Sequence, residues 1–278
     1  MRNISARKIQ DTVKELCIRA NIFLRKDVLR ALKSASAKET GKRAKEILGA
    51  VIKNARIAKK EKLAICQDTG LPVVFAEIGQ AVKIKGNLKS AINKGVEAGY
   101  KKASLRRSVI KNPLLRARPE YSPAIIHTDT VPGNKIRLTV LPKGFGCENK
   151  SALKMFKPTE NIREIKKFIL ETVKKSGPDA CPPYVVGVGI GGTADYACLL
   201  AKKALLRKIG IGNRNPEIKL LELDLLRRVN RLNIGPMGLG GLTTVLGVNI
   251  ETHPTHIAGL PVAVNISCHA LRSATATL

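Results

Sequence analysis

Tryptophan is absent from this 278-residue chain, and aromatic residues make up only 3% of it. Platforms on which bases could stack are therefore scarce. Acidic residues are few as well: 21 Asp and Glu stand against 50 Lys and Arg, a formal net charge of +29. A charge of that size raises nucleic acid as a partner. Its distribution argues against that, because Lys8, Lys14, Arg19, Arg43, Lys53, Lys59, Lys166, Lys174 and Lys202 recur along helical patterns rather than in one block. A solvated surface or an acidic partner subunit accounts for them better. No apolar run approaches the ~20 residues of a membrane helix, and the opening "MRNISARKIQDTVKEL" lacks the apolar stretch of a signal peptide, so no membrane and a cytoplasmic location are expected. The cysteines, at 17, 66, 147, 181, 198 and 268, form no CxxC pair. Neither a disulfide framework nor a zinc finger is written in that spacing, which leaves core filler, nucleophiles or metal ligands.

What is present is enough apolar residue, 44%, to bury a sizeable core in one large domain or two small ones. From Ile4 to about Lys60 the apolar positions Ile9, Val13, Leu16 and Ala20, then Val28 and Leu32, then Ala44, Leu48 and Val51 recur at helical spacing, predicting two or three helices. After Gly70, "PVVFAEIG" and "AVKIKG" read as strands, followed by a helix over about 87–105. "PAIIHTDTV" and "KIRLTVLPKG" flank "PGN" at 132–134 and predict a β-hairpin. "NIREIKKFILETVKKSG" reads as a helix stopped by Gly177, "YVVGVGIGG" as a buried strand, and the segment after it as another helix. The fold expected is α+β: a helical N-terminal region, 1–60, packed on a mixed α/β region, 61–278, with chemistry at element ends.

Several groups are candidates for that chemistry. Gly187, Gly189, Gly191 and Gly192 follow a strand and open a helix as in a dinucleotide fingerprint, but no acidic residue closes the following strand; close backbone approach or a plain turn explains them equally well. Cys17 and Cys198 fall in helical patterns and read as core. Cys66 in "CQDTG", Cys147 in "KGFGCENKS", Cys181 in "CPPY" and Cys268 in "SCHAL" sit at junctions beside Gly, Pro and polar residues. Backbone N–H groups near a sulfur stabilise thiolate, so these four are either metal ligands or scattered buried thiols. His253 and His256, three apart around Pro254, exclude a helical zinc pair; a loop histidine there either handles a proton or caps a turn. Arg106 and Arg107 either clamp a carboxylate or are solvated.

Taken together and in order, "CQDTGLP", "LRRS", "PKGFGCENKS", "CPPYVVGVGIGGT", "GPMGLGG" and "THPTHIAGLPVAVNISCHALR" resemble the α subunit, or N-terminal catalytic domain, of the iron–sulfur hydro-lyases: the class I fumarate hydratases and L(+)-tartrate dehydratases. The resemblance runs from about residue 10 onward. It implies a [4Fe–4S] cluster held by Cys66, Cys181 and Cys268, with one iron not ligated by cysteine. It also implies contacts of Gln67, Asp68, Arg106, Gly144 and Gly146 with a dicarboxylate substrate, and proton handling by Asp68 and His256. Cys147 stands where the family commonly has serine and is not expected to be a ligand. A separate β subunit is expected to complete the site in a hetero-oligomer, so the chain alone should be inactive. Reversible dehydration of (S)-malate to fumarate is the leading expectation and conversion of L(+)-tartrate to oxaloacetate the alternative. A basic RNA-binding protein without a cluster is the alternative of another class, and the intact set of Cys66, Cys181 and Cys268 counts against it.

Overall fold

The computed structural model describes all 278 residues. A short strand, β1 (Arg2–Ser5), leads into three helices, α1 (Ala6–Ile22), α2 (Lys26–Lys38) and α3 (Lys42–Glu61). Strands β2 (Leu71–Gly79) and β3 (Val82–Lys85), helix α4 (Leu88–Lys102), and strands β4 (Ile125–Val131) and β5 (Ile136–Lys143) follow. Next come α5 (Phe145–Glu148), β6 (Ala152–Phe156), α6 (Ile162–Ser176), β7 (Tyr184–Gly192) and α7 (Ala194–Ala204). The chain ends with α8 (Pro216–Asn230), a 3-10 turn over Pro236–Gly238, and β8 (Val245–Thr255), β9 (Leu260–Ser267) and β10 (Ala274–Thr277). The class is α+β. No helix is long and apolar enough to cross a membrane.

Two compact units share these elements. The first takes Met1–Leu24, Ala55–Phe145 and Arg272–Leu278; the second takes Arg25–Asn54 and Gly146–Leu271. The first unit is built on a four-stranded sheet in the order β10-β5-β2-β4, with β2 antiparallel to β5 and parallel to β4. Ser5 caps α1 by accepting from the Lys8 N–H, and the stripe Ile9, Val13, Leu16 and Ala20 then falls on one face. That stripe is fully buried with Ile92, Val96 and Tyr100 of α4 and Val74, Ile136, Leu138 and Val140 of the sheet. Each such large apolar side chain contributes about 1.5–3 kcal/mol on burial.

The expected hairpin between β4 and β5 does not form. β2 lies between them, parallel to β4 and antiparallel to β5, with Gly79 donating to the Lys135 carbonyl and Ala81 to that of Gly133. The "PGN" turn thus wraps the end of β2 instead of closing a tight reversal. The chain bends at 132–134, but a third strand lies between the two arms.

The second unit has a sheet in the order β6-β9-β7-β8, with only the β7–β8 pair parallel. Strand β7 alternates valine and glycine, and the alternation separates its two faces. Val186 and Val188 join Ile165, Ile169 and Val173 of α6 and Leu225 and Val229 of α8 in one buried cluster. Gly187 and Gly189 face the other way, against α7: a Cβ on either would lie 2.1 Å from the Ala201 carbonyl or 2.0 Å from that of Ala197. These glycines therefore admit a helix to the sheet rather than a nucleotide to a loop. Because α7 presents Ala197, Ala201 and Ala204 to the strand, Cys198 falls off that stripe and is exposed, contrary to its expected place in the core. Helix α8 was not foreseen in the sequence, although Asn215, which caps it by accepting from the Glu217 and Ile218 N–H groups, and Pro216 at its first turn are start signals.

Candidate functional site

At one end of the first unit's sheet, the N-terminal end of β2 meets the C-terminal end of β5, with Leu71 opposite Lys143. The loop that feeds β2 carries Cys66, Gln67 and Asp68, and the loop that leaves β5 carries Gly144. The two are tied through one carboxylate: Asp68 Oδ1 accepts from the Gly70 N–H at 2.9 Å and Oδ2 from the Phe145 N–H at 2.8 Å. Gly144 packs against the same group, since a Cβ there would stand 3.1 Å from Oδ2. Arg106 joins through its backbone, its N–H donating to Thr69 Oγ1 at 3.1 Å, while its side chain extends into solvent. Gln67 is exposed and Asp68 half-buried. Of the residues expected to meet substrate, Gln67, Asp68, Arg106 and Gly144 are thus brought together beside Cys66.

Two residues from outside the loop, Tyr100 and Arg272, also hold it. The Tyr100 hydroxyl donates to the Thr69 carbonyl at 2.9 Å, and burial pushes its phenol well above the ordinary range, so it stays a neutral donor. Thr69 is 3% exposed and Arg272 only 4%; the Arg272 guanidinium donates to the Asp68 carbonyl, and its Nε has no partner. Gly70 is the hinge of the arrangement. Its φ is +77°, and a Cβ would come within 2.7 Å of the Lys143 nitrogen and the Pro142 carbonyl carbon. Gly70→Ala is accordingly expected to lower unfolding stability by about 1–3 kcal/mol. Denaturant titration checks this; an unchanged midpoint would mean the loop relaxes freely.

In the second unit, Cys181 precedes β7 and Cys268 follows β9, and the register pairs Val185 with Ser267, so both lie at the same end of the sheet. His269 joins them directly, donating its N–H to the Cys181 carbonyl at 3.5 Å with Nδ1 3.0 Å from the same oxygen. Cys181 itself adopts φ +56°. Gly146 lies 3.8 Å, measured from an added Cβ, from the Asp179 carbonyl. His256 sits elsewhere: it opens the turn between β8 and β9, is exposed, and accepts from the Ala258 N–H at 3.2 Å. The length of β9 separates it from Cys268 by roughly 23 Å, at ~3.3 Å per residue. His256 and the Cys181–Cys268 pair are therefore not brought together.

The cysteines sort by environment. Cys17 and Cys147 are buried, and burial pushes the Cys17 thiol far up, which keeps it protonated. The Cys147 sulfur donates to the Ala180 carbonyl at 3.3 Å. Burial also raises the Cys198 thiol. Cys66, Cys181 and Cys268 are half-exposed loop residues, none in a disulfide. Their type and accessibility fit a soft metal centre that takes thiolate donors. Within neither unit by itself do three Cys, His, Asp or Glu side chains converge on one point.

Comparison with known proteins covers the stretch of chain that carries these loops. The family model of fumarate hydratase (Fumerase) matches residues 10–277. A protein of Methanocaldococcus jannaschii with the provisional name L(+)-tartrate dehydratase subunit alpha is 46% identical over 275 residues, which are 96% of each chain. The L(+)-tartrate dehydratase subunit alpha of Escherichia coli (strain K12) is 34% identical over 253 residues, 90% of this chain and 84% of the relative. A match of that extent, spanning both units and every loop described above, leaves one assignment: the chain belongs to the fumarate hydratase (Fumerase) family of hydro-lyases.

Proposed function

We propose that this chain is the α subunit of a cluster-dependent hydro-lyase that interconverts (S)-malate and fumarate, with a separate β subunit completing the site. The observation that carries the reading is the grouping of Gln67, Asp68, Gly144 and the Arg106 backbone beside Cys66, through one carboxylate that accepts from Gly70 and Phe145. Cys66, Cys181 and Cys268 would hold a [4Fe–4S] cluster with one iron free of cysteine. Bound there, such a cluster supplies a Lewis acid for the departing hydroxyl group.

The chain's own residues would do the rest. The Arg106 side chain, free in solvent, can fork onto one substrate carboxylate, which suits a ligand with two negative charges. The Gln67 amide offers both a donor and an acceptor to the substrate's hydroxyl and carboxylate oxygens. Gly144 and Gly146, without side chains, let a carboxylate approach the main chain. Asp68 is held by two backbone N–H groups in a fixed direction and is the base for the proton on the adjacent carbon. His256, the other residue expected to handle a proton, lies at the opposite end of β9 from Cys268.

The names of the relatives favour a second substrate, L(+)-tartrate, whose dehydration gives oxaloacetate. Malate and tartrate differ by one hydroxyl, and a site built to hydrogen-bond that group rejects the analogue lacking it by a large factor. Anaerobic co-expression with the β partner, followed by assays with malate, fumarate and tartrate, decides between them. Turnover of malate and fumarate well above tartrate supports the first reading, the reverse supports the second, and turnover of none overturns both.

A further inference from the structure

The glycine-rich loop 235–242 of the second unit exposes Met237, Leu239 and Leu242, buries Gly235 and Pro236, and is conformationally demanding. Gly235, Met237, Gly238, Gly240 and Gly241 all have positive φ, a conformation that residues other than glycine rarely adopt. Such a run holds one shape only if its surroundings over-determine it. Part of that support is local: the Gly235 N–H donates to Thr244 Oγ1 at 3.2 Å and the Gly241 N–H to Asn233 Oδ1 at 3.1 Å.

Further support comes from a carboxylate some 200 residues away in the sequence. Glu39, at the end of α2, is 4% exposed. Its Oε1 accepts from the Thr40 and Gly41 N–H groups at 3.0 and 3.1 Å, and its Oε2 accepts from the Leu242 N–H at 2.9 Å. A buried carboxylate whose partners are three backbone N–H groups makes strong, charge-assisted bonds. Gly241 packs so closely that an added Cβ would stand 2.9 Å from Oε2.

The other side of the loop touches the turn that carries Cys181. The Met237 N–H donates to the Pro182 carbonyl at 2.8 Å, and Gly238 lies flat on Pro178, where a Cβ would come within 2.3 Å of the proline ring. The Cys181 N–H in turn donates to the Pro178 carbonyl at 3.0 Å, and His269 binds the Cys181 carbonyl. From the Glu39 carboxylate a path of hydrogen bonds and packing contacts therefore runs through the loop, by way of Leu242, Met237 and Gly238, to Pro178, Cys181 and Pro182.

We propose that Glu39 is a positioning residue: it anchors the 235–242 loop, and the loop holds the Cys181 turn at the φ of +56° from which its sulfur is presented. The proposal rests on the reading above only for what Cys181 does once presented. The geometry of Glu39, the loop and the turn stands whether or not a cluster binds.

Two variants separate this role from general stability. Glu39→Asp is one methylene short, so it still reaches the adjacent Thr40 and Gly41 N–H groups but not Leu242. Glu39→Gln keeps the length and sets an amide N–H₂ against one of the three donors. In the metal-free full chain, both are expected to speed hydrogen exchange at the Leu242 and Met237 amides and iodoacetamide alkylation of Cys181 by about ten-fold or more, the worth of one charge-assisted hydrogen bond. Alkylation of Cys66 and of buried Cys17 should not change. In the chain loaded anaerobically with iron and sulfide alongside its partner, the visible absorption band should be lost to a chelator faster in both variants than in the parent. Unchanged Cys181 alkylation beside faster Leu242 exchange would show the loop to be uncoupled from the turn and overturn the proposal. Parallel increases at Cys17, Cys66 and Cys181 would overturn it too, by reducing Glu39 to a general stabiliser. A chain that takes up no cluster would instead sink the functional reading while leaving the alkylation result to decide on Glu39.

Discussion

Serine in place of Cys66, Cys181 or Cys268, one at a time, is expected to abolish the visible absorption of the anaerobically purified αβ complex and its hydro-lyase turnover with it. Serine at Cys17, Cys147 or Cys198 should leave both. The contrast follows from chemistry and environment. A cluster needs thiolate, and under the proposed three-cysteine ligation there is no spare one to replace a loss. Serine keeps the shape of the residue but its hydroxyl ionises far less readily, so each of the three loop positions should behave as all-or-none. At Cys17, which is fully buried with its thiol held protonated, the substitution replaces an apolar sulfur by a polar hydroxyl in the core. That should cost about 1–3 kcal/mol of stability and no colour. Cys198 is exposed on α7, and serine there should be silent in both measurements. Iron and sulfide analysis beside the absorption spectrum gives the count directly. Colour that survives loss of Cys181, or disappears with Cys198, would break the ligand assignment.

The helices were the most legible part of the fold. Ile9, Val13, Leu16 and Ala20 recur at a period that only a helix satisfies, and all four are buried to within 1% exposure. The same local logic placed β7 and the stop of α6 at Gly177, which has φ +51°. It failed where pairing is decided at a distance. Nothing in "IIHTDTVPGNKIRLTV" tells that β2 will insert between its two arms, because strand order is set by which faces can be buried together and not by the turn. It failed also at Cys198, where a single position's offset from the α7 stripe depends on which residues meet the glycines of β7.

The site divides in the same manner. "CQDTG" stood out because unusual residue types cluster there. Tyr100, Arg272 and Glu39 did not, because each acts on backbone groups of a distant segment. Arg272 binds the carbonyl of Asp68, 204 positions away, and Glu39 the N–H of Leu242, 203 positions away. Every residue offers a backbone carbonyl and nearly every one an N–H, so such partners leave no pattern in the sequence. His256 shows the opposite case, a residue conspicuous by type that the strand β9 carries to the far end of its sheet.

Asp68→Asn is the second change with a large expected effect: a fall in kcat of about 10²–10⁴, the range for loss of a positioned general base, with KM changed by less than about three-fold. The two roles open to this carboxylate, moving a proton and shaping the loop, make different demands on it. As a loop organiser it needs two acceptors, one for the Gly70 N–H and one for the Phe145 N–H. Asparagine supplies one and turns the other into a donor facing an N–H, so some loop opening accompanies the loss of the base. Gly144→Ala isolates that component, because its Cβ would stand 3.1 Å from Oδ2 and push the carboxylate without removing it. If shaping were all, the alanine variant would reproduce the asparagine variant. If Asp68 takes the proton, the alanine variant loses far less kcat. Asp68→Asn should then also raise the isotope effect from deuterium on the carbon next to the hydroxyl-bearing one, since C–H cleavage becomes the slow step. An asparagine variant with intact kcat and a raised KM would assign Asp68 to holding the substrate, and the proton would have to leave through a residue of the partner subunit.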